Sequence, residues 1–246
     1  MFEDYVPKRK IGHLAPLGVM SNGPYEFYQL VPRGIMLVET PLGLQEFTAK
    51  DVERVFASVD EKLELLMERG ADIVVQGGVP LPILIGPDAL SRLLAHIEKK
   101  AGVPATSQVL SVVAATRRLG VKKVALANKW NEQMNQTLAQ FFAQEDISVV
   151  GTNTRSMLPS EFVKMNSAES IHLAYDLGRG ALEKYPSAEG VYIGGGTWLT
   201  LPVVTRLEQE FGKAVVTNQV ARVWHLLTLL NCWNPIPGHG RLLNCA

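Results

Sequence analysis

Cysteine is scarce in this chain of 246 residues, which carries only Cys232 and Cys245. Both lie near the C-terminus, and neither has the spacing to other cysteines or histidines that a metal site needs. The glycine clusters also lack the Gly-x-Gly-x-x-Gly pattern of dinucleotide-binding proteins. We therefore expect no metal and no organic cofactor. Two cysteines without a disulfide framework indicate reduced thiols and a cytoplasmic protein.

An excess of charge and long apolar runs are missing as well. Lys plus Arg and Asp plus Glu number 24 each, so bulk charge does not favour nucleic acid as a partner. No stretch approaches about 18 uninterrupted apolar residues, so we expect no membrane span. The N-terminus has neither the basic nor the apolar region of a secretory signal. Hydrophobic residues make up 47%, which is enough for a sizeable core.

The most informative stretch is a glycine-rich turn within residues 190–201. A short apolar run over 191–193 predicts a buried strand, and Gly194, Gly195 and Gly196 end it. Thr197 or Thr200 then caps a helix that we expect to end near residue 211. A strand, a glycine turn and a helix start place backbone N–H groups where they suit an anion. The alternative is a tight turn without a ligand.

The same order of features occurs earlier in the chain. Residues 70–81 contain an apolar strand followed by Gly77 and Gly78, and residues 102–108 resemble residues 212–219. This repeat, about 110 residues long, predicts two similar α/β halves. Because strands alternate with helices throughout, we expect parallel sheets with helices on both faces.

The pattern also predicts individual elements and domain bounds. We predict strands at 10–15, 34–39, 72–76, 104–107, 122–127, 147–152, 191–193 and 214–217. We predict helices at 48–69, 87–100, 109–119, 132–144, 167–184, 220–230 and from the cap of the glycine turn to 211. Residues 19–29 are expected to form a loop. The halves are expected at 1–118 and 119–224, with residues 225–246 packing back on the first half.

Five segments together resemble the aspartate/glutamate racemase superfamily, in the branch of arylmalonate decarboxylase and maleate cis-trans isomerase. They are residues 12–16, 70–78, 118–127, 190–201 and 238–243. The resemblance covers nearly the whole chain. It implies two pseudo-symmetric parallel-sheet halves with the active site in the cleft between them, and cofactor-independent chemistry on a small carboxylate.

The family's chemistry depends on cysteine, and the resemblance implies that this chain has none at the family positions. Racemases use two cysteines as base and acid, because the pKa of a thiol is easily tuned. These positions correspond to Gly78 and Gly195. Arylmalonate decarboxylase keeps only the second cysteine, as a proton donor. A two-cysteine racemase is therefore excluded, and another residue has to donate the proton.

The resemblance also indicates which residues surround a substrate. Val79 and Pro80 stand where the decarboxylase has hydroxyl residues that hold a carboxylate, and Trp130 stands where it has an aromatic hydroxyl. Half of the anion site is therefore weakened, while the N–H groups of the second glycine turn remain to hold an oxyanion. We expect the substrate to be bound by Pro16, Gly78, Val79, Trp130, Gly195 and Gly196.

Three residues are candidates for catalysis. His13 is either a strand histidine satisfied by the backbone or an acid or base with a pKa near neutrality. Lys129 is either an electrophile or carboxylate anchor, or a surface lysine at a helix start. Thr197 adds a hydroxyl to the oxyanion site. Among other groups, His225 is expected in the core, and His239 is expected near enough to reach the cleft.

Three functions remain open from the sequence. The first is a lyase or isomerase of the decarboxylase type that stabilises an oxyanion and uses a proton donor other than cysteine. The second is a hydrolase of a cyclic amide, imide or related carbonyl compound, in which two facing glycines leave room for water. The third is a ligand-binding relative without catalysis. A small carboxylate or carbonyl compound is the expected partner in each, and a homo-oligomer stays open.

Overall fold

The computed structural model describes residues 3–19, 22–46, 48–162 and 164–244. Within these ranges the strands are β1 (Arg9–Ala15), β2 (Ile35–Pro41), β3 (Ile73–Gln76), β4 (Ala105–Ser107), β5 (Lys123–Asn128), β6 (Ser148–Thr154), β7 (Gly190–Ile193) and β8 (Ala214–Thr217). The helices are α1 (Asn22–Leu30), α2 (Ala49–Ala57), α3 (Val59–Glu68), α4 (Pro80–Ala101), α5 (Gln108–Arg118), α6 (Glu132–Gln144), α7 (Pro159–Phe162), α8 (Ser167–Lys184), α9 (Leu201–Phe211), α10 (Asn218–Leu229) and α11 (Arg241–Asn244).

The strands form two four-stranded parallel sheets with the same topology. The first sheet has the order β2-β1-β3-β4 and the second has the order β6-β5-β7-β8. Both inner strands that precede the glycine turns, β3 and β7, are buried at every position. Parallel sheets covered by helices on both faces bury such apolar strands completely. The predicted α/β fold with two similar halves is therefore confirmed.

The halves meet through helices that are equivalent in the repeat. Helix α5 follows β4, helix α10 follows β8, and the two helices pack against each other. Gln108 Nε2 donates to the Asn218 carbonyl at 3.0 Å, and Ser111 Oγ lies 3.0 Å from His225 Nδ1. His225 thus packs between α5 and α10, as expected. The carboxyl ends of the strands in both sheets consequently face a common cleft.

Local signals mispredicted the helices that flank the cleft. Residues 22–30 form helix α1 rather than a loop, because Phe27 and Leu30 are buried in the core. The predicted helix over 48–69 is two helices that meet at Ser58. Helix α4 consists of two helical segments that meet at a kink at Gly86 (φ +78). The second segment begins at Pro87, as predicted, whereas the first segment, from Pro80, was missed.

We predicted that residues 225–246 pack back on the first half; His225 at the start of this segment contacts Ser111 of the first half, whereas the end of the segment is hydrogen-bonded to the second half. Thr205 Oγ1 donates to the Gly238 carbonyl at 3.1 Å, and the Arg241 amide donates to Glu208 Oε2 at 2.8 Å. Helix α11 packs on α10 and β8. The buried carboxylate of Glu208 thus satisfies the free N–H at the start of α11, which the sequence pattern did not reveal.

Candidate active site in the cleft

A cavity lies at the carboxyl ends of the strands, between the two halves. It is partly open to solvent, and residues of both halves line it. The first half contributes His13, Pro16, Leu17, Gly23, Leu44, Gly78, Val79, Pro80 and Gln108. The second half contributes Lys129, Trp130, Gly195, Gly196, Thr197, Asn218, Gln219 and Arg222. All nine residues that we expected at the substrate site line this cavity, and their individual roles remain predictions.

Lys129 is a buried amine at the cavity wall. It directly follows β5, and its side chain is only 2% exposed. Its Nζ donates to Thr197 Oγ1 at 3.0 Å and lies 4.1 Å from the centroid of the Trp198 ring. Burial lowers the pKa of Lys129 to about 7. The alternative that Lys129 is a surface lysine is therefore wrong.

The second glycine turn lines the cavity with Gly195, Gly196 and Thr197. Among the described residues, no hydrogen-bond acceptor is found for the amides of Gly195, Gly196 and Thr197, which are all partly exposed. Gly195 has φ +129, a conformation that favours glycine, and its carbonyl accepts from Trp198 Nε1 at 3.1 Å. Three amides on one turn form a site suited to an oxyanion.

The start of the following helix does not face the cavity as we predicted. Helix α9 begins at Leu201, and the carboxylate of Glu26 from α1 already accepts from its first N–H groups. The Leu201 amide donates to Glu26 Oε1 at 2.7 Å, and Thr200 Oγ1 donates to Oε2 at 3.2 Å. Burial raises the pKa of Glu26 to about 7, against the opposite effect of these hydrogen bonds and of Arg222. The anion site therefore depends on the turn, without the dipole of α9.

His13 is enclosed by two side chains rather than by backbone. It lies in β1 and is 1% exposed, with Nδ1 2.6 Å from Glu39 Oε2 and Nε2 3.2 Å from Arg222 Nη1. Because a guanidinium can only donate, Nε2 is the acceptor and we assign the proton to Nδ1. Burial lowers the pKa of His13, and Arg222 adds to this effect while Glu39 opposes it. This arrangement disfavours His13 as an acid or base toward a substrate.

The sequence analysis missed Arg222 and Gln219. Arg222 is 3% exposed, and its Nη2 donates to Gln219 Oε1 at 2.7 Å. Gln219 Nε2 in turn donates to the Gly23 carbonyl of the first half. The sequence offered one signal for Arg222, which is a single arginine among the apolar residues of the helix predicted over 220–230.

The positions that the family resemblance assigns to cysteine have no room for a side chain. At Gly78 (φ +79), an added Cβ would lie 2.9 Å from Pro16 Cγ. At Gly195, it would lie 3.0 Å from Trp198 Nε1. A side chain at either position would therefore have to displace Pro16 or Trp198.

Other titratable groups lie away from the cavity or outside the described residues. Cys232 is partly buried and does not line the cavity, and Cys245 lies outside the described residues. His239, which we expected to reach the cleft, does not line the cavity either. In the described part of the chain, no helix is long and apolar enough to cross a membrane. The same part contains no group of three or more His, Cys, Asp or Glu residues that suits a metal.

Comparison with known proteins gives consistent results. The family model for arylmalonate decarboxylase matches residues 15–243. Arylmalonate decarboxylase of Bordetella bronchiseptica is 30% identical over 208 residues, which are 84% of this chain and 85% of that protein. A liganded double mutant of arylmalonate decarboxylase has a TM-score of 0.86 and 26% identity, covering 96% of this chain and 98% of that chain. A mutant maleate cis-trans isomerase from Nocardia farcinica, with a covalently bound succinylcysteine intermediate, has a TM-score of 0.84 and 16% identity over 96% and 98% of the two chains. This last likeness concerns the fold alone.

Proposed function

The chain belongs to the arylmalonate decarboxylase family, and from that premise we propose that it is a lyase that decarboxylates a small malonate-type acid with Lys129 as proton donor. Lys129 would replace the cysteine that the decarboxylase uses for this purpose. The reaction would need no cofactor, because the glycine turn stabilises the charge that develops when the carboxyl group leaves.

The amine of Lys129 is the observation that carries this proposal. Its Nζ is 3.0 Å from Thr197 Oγ1, so it lies beside the glycine turn that lines the cavity. Its pKa of about 7 means that the ammonium and amine forms coexist near neutral pH. General acids and bases work best when their pKa lies near the operating pH.

The remaining cavity wall suits the loss of a carboxylate. Pro16, Leu17, Leu44, Val79 and Pro80 give one side of the cavity an apolar surface. A carboxylate bound against that surface is poorly solvated, and it loses its charge when the bond to the α-carbon breaks and carbon dioxide forms.

The chemistry balances with the groups present. The electron pair of the broken bond stays on the α-carbon and delocalises into the retained carboxylate as an enediolate. The amides of Gly195, Gly196 and Thr197 would donate to its oxygens. The Lys129 ammonium would then transfer a proton to the α-carbon, and the neutral amine would regain a proton from water.

A turnover screen with matched variants tests this proposal. The substrates are arylmalonates, maleate and cyclic imides, and the assays measure carbon dioxide release, fumarate formation and ring opening. In deuterated water, the decarboxylation product should carry deuterium at the α-carbon. Lys129→Met should lower kcat by about a hundredfold or more, the usual contribution of a general acid. Lys99→Met, at an exposed lysine on α4, is the control and should leave turnover unchanged.

Each other outcome has a defined meaning. Full turnover by Lys129→Met would exclude Lys129 as the proton donor. Ring opening without carbon dioxide release would favour the hydrolase alternative, and fumarate formation would favour an isomerase. Tight ligand binding without turnover of any compound would favour a non-catalytic relative.

A further inference from the structure

The guanidinium of Arg222 is a buried charge at the cavity wall that has no ion-pair partner among the residues the structure describes. Its side chain is 3% exposed. No carboxylate oxygen of the described residues lies within 4.0 Å of its nitrogens. A buried charge is normally paired, because desolvation destabilises it. An anion is therefore the missing partner that the cavity suits.

Several donors of Arg222 have no acceptor. Arginine has five N–H donors in a planar fork. Nη1 donates to His13 Nε2 at 3.2 Å and Nη2 donates to Gln219 Oε1 at 2.7 Å, but Nε, although buried, has no partner in the described structure. Because Nε is buried, a carboxylate in the cavity would accept two parallel hydrogen bonds from the second N–H groups of Nη1 and Nη2.

Neighbouring residues hold the guanidinium in place. Glu39 Oε2, at 2.6 Å from His13 Nδ1, keeps the Nε2 lone pair directed to Arg222. Gly77 permits this contact, because an added Cβ would lie 2.1 Å from His13 Nε2. Although burial lowers the pKa of Arg222 to about 10, the group stays charged at neutral pH, and Glu39 and Glu26 favour that charge. His13 is thus a positioning residue for Arg222.

We propose that Arg222 binds a carboxylate of the substrate at a subsite separate from the amides of Gly195, Gly196 and Thr197. This carboxylate is one that the reaction retains, because a strong ionic contact to the departing group would stabilise the ground state and slow its loss. The statement that the reaction retains this carboxylate rests on the proposed function, whereas the binding of a carboxylate to Arg222 does not. The substrate class is then a malonate-type acid with a third carboxylate, in addition to the one that leaves and the one bound by the amides.

Binding of inert diacids tests the subsite without turnover. Succinate and glutarate are compared with their monomethyl esters by calorimetry, on the unmodified protein and on Arg222→Met, Arg222→Lys and Thr197→Val. The unmodified protein should bind the better diacid at least about tenfold more tightly than its monoester, as expected for a charge-assisted hydrogen-bonded pair. Arg222→Met should lose this preference, and Arg222→Lys should retain part of it. Thr197→Val should weaken both ligands alike. Arg33→Met, at an exposed arginine, is the control and should bind like the unmodified protein.

Two results would overturn the proposal. One is equal affinity of the unmodified protein for diacid and monoester at both chain lengths. The other is a diacid preference that persists in Arg222→Met, with circular dichroism showing that this variant and Arg222→Lys are folded. Absence of turnover would contradict only the proposed function. If turnover depends on Lys129 but Arg222 gives no preference for a diacid over its monoester, only the Arg222 subsite is contradicted.

Discussion

At the scale of single residues, burial moves the pKa of the Lys129 amine into the range in which cysteine thiols titrate. An unperturbed thiol titrates near pH 8.5 and an unperturbed lysine near 10.4. Burial brings the pKa of Lys129 down to about 7, although the face of Trp198, 4.1 Å away, favours the charged form. An amine in this environment is therefore a chemically reasonable substitute for the family's cysteine.

The pH dependence of turnover follows from this pKa. The ammonium form donates the proton and predominates below pH 7, so kcat should fall above about pH 7, approaching tenfold per pH unit. The measurement is kcat across this range for the unmodified protein and for Glu26→Gln, because Glu26 also has a pKa of about 7. The fall should persist in Glu26→Gln. A rate that instead rises above neutrality would assign Lys129 as a base.

The hydroxyl of Thr197 should contribute measurably to anion binding. Thr197→Val nearly preserves volume but removes the oxygen that accepts from Lys129 Nζ at 3.0 Å. We expect binding of succinate to weaken by about 1–3 kcal/mol, because the variant also loses the hydroxyl donor that would bind the carboxylate. Isothermal calorimetry gives this value directly. Unchanged affinity and unchanged turnover would locate the anion elsewhere.

The cysteines should be dispensable for turnover. Cys232 does not line the cavity, and burial raises the pKa of its thiol, which disfavours the reactive thiolate. Cys232→Ser combined with Cys245→Ser should therefore retain kcat, and iodoacetamide should not inactivate the unmodified protein. A loss of about a thousandfold in a folded double variant, the size of a missing acid–base group, would refute this.

At the scale of elements, local sequence signals correctly predicted the ends of those helices and strands that neighbouring residues determine. Helices α6 and α8 and strand β8 begin and end where we predicted them. Asn131 and Asn166 cap the two helices with their side chains, and α8 has a complete capping box. Such signals act over a few residues, so a single sequence contains them.

Contacts between distant segments account for what was missed. The first segment of α4, over residues 80–85, and helix α1 bury side chains in core clusters formed by distant parts of the chain. The cavity lining was predictable because glycine turns end both central strands. The role of Arg222 was not, because its partner His13 lies 209 positions away. Likewise, Glu26 contacts the start of α9 from 175 positions away, so the sequence pattern left that helix end apparently free.

The second glycine turn should not tolerate a side chain. At Gly195 (φ +129), Cβ would lie 3.0 Å from Trp198 Nε1, whereas at Gly18 no atom of the described residues lies within 4 Å of the added Cβ. Gly195→Ala and Gly195→Cys should each lower the free energy of unfolding by about 1–3 kcal/mol, through strain and overpacking. Gly18→Ala, the control, should change it little. Urea denaturation measures all three. We accordingly expect that Gly195→Cys alone does not create a cysteine-dependent decarboxylase, and a gain of such activity would show that the turn can rearrange.

At the scale of the whole molecule, the cavity is the place where the two halves are joined. Helix α5 packs on α10 behind it, and Asn22 Nδ2 donates to the Thr197 carbonyl at 2.8 Å across it. Glu26 connects α1 of the first half to the start of α9 in the second. A ligand that contacts both walls therefore stabilises the same interface that folding forms.

Glu26 should make the stability of this joint depend on pH. Its pKa is raised from 4.5 to about 7 in the folded protein, so the folded state binds a proton more tightly than the unfolded chain. The stabilisation is fully present below about pH 4.5 and is lost as the pH rises through about 7. By linkage, the difference approaches about 3 kcal/mol. Glu26→Gln keeps an oxygen that accepts from the amides of Thr200 and Leu201 but does not titrate.

Urea denaturation of Glu26→Gln and the unmodified protein over this pH range tests the contribution of Glu26. The advantage of the glutamine variant should grow as the pH rises from about 5 to about 8, because only the unmodified protein then has to bury a carboxylate. Asp88→Asn, at an exposed acid, is the control and should show no such trend. Parallel curves for Glu26→Gln and the unmodified protein would show that Glu26 has the same pKa folded and unfolded. Glu26 and its partners belong to different halves. If the advantage of Glu26→Gln grows with pH, ionisation of this one carboxyl group weakens the contact between the two halves beside the cavity.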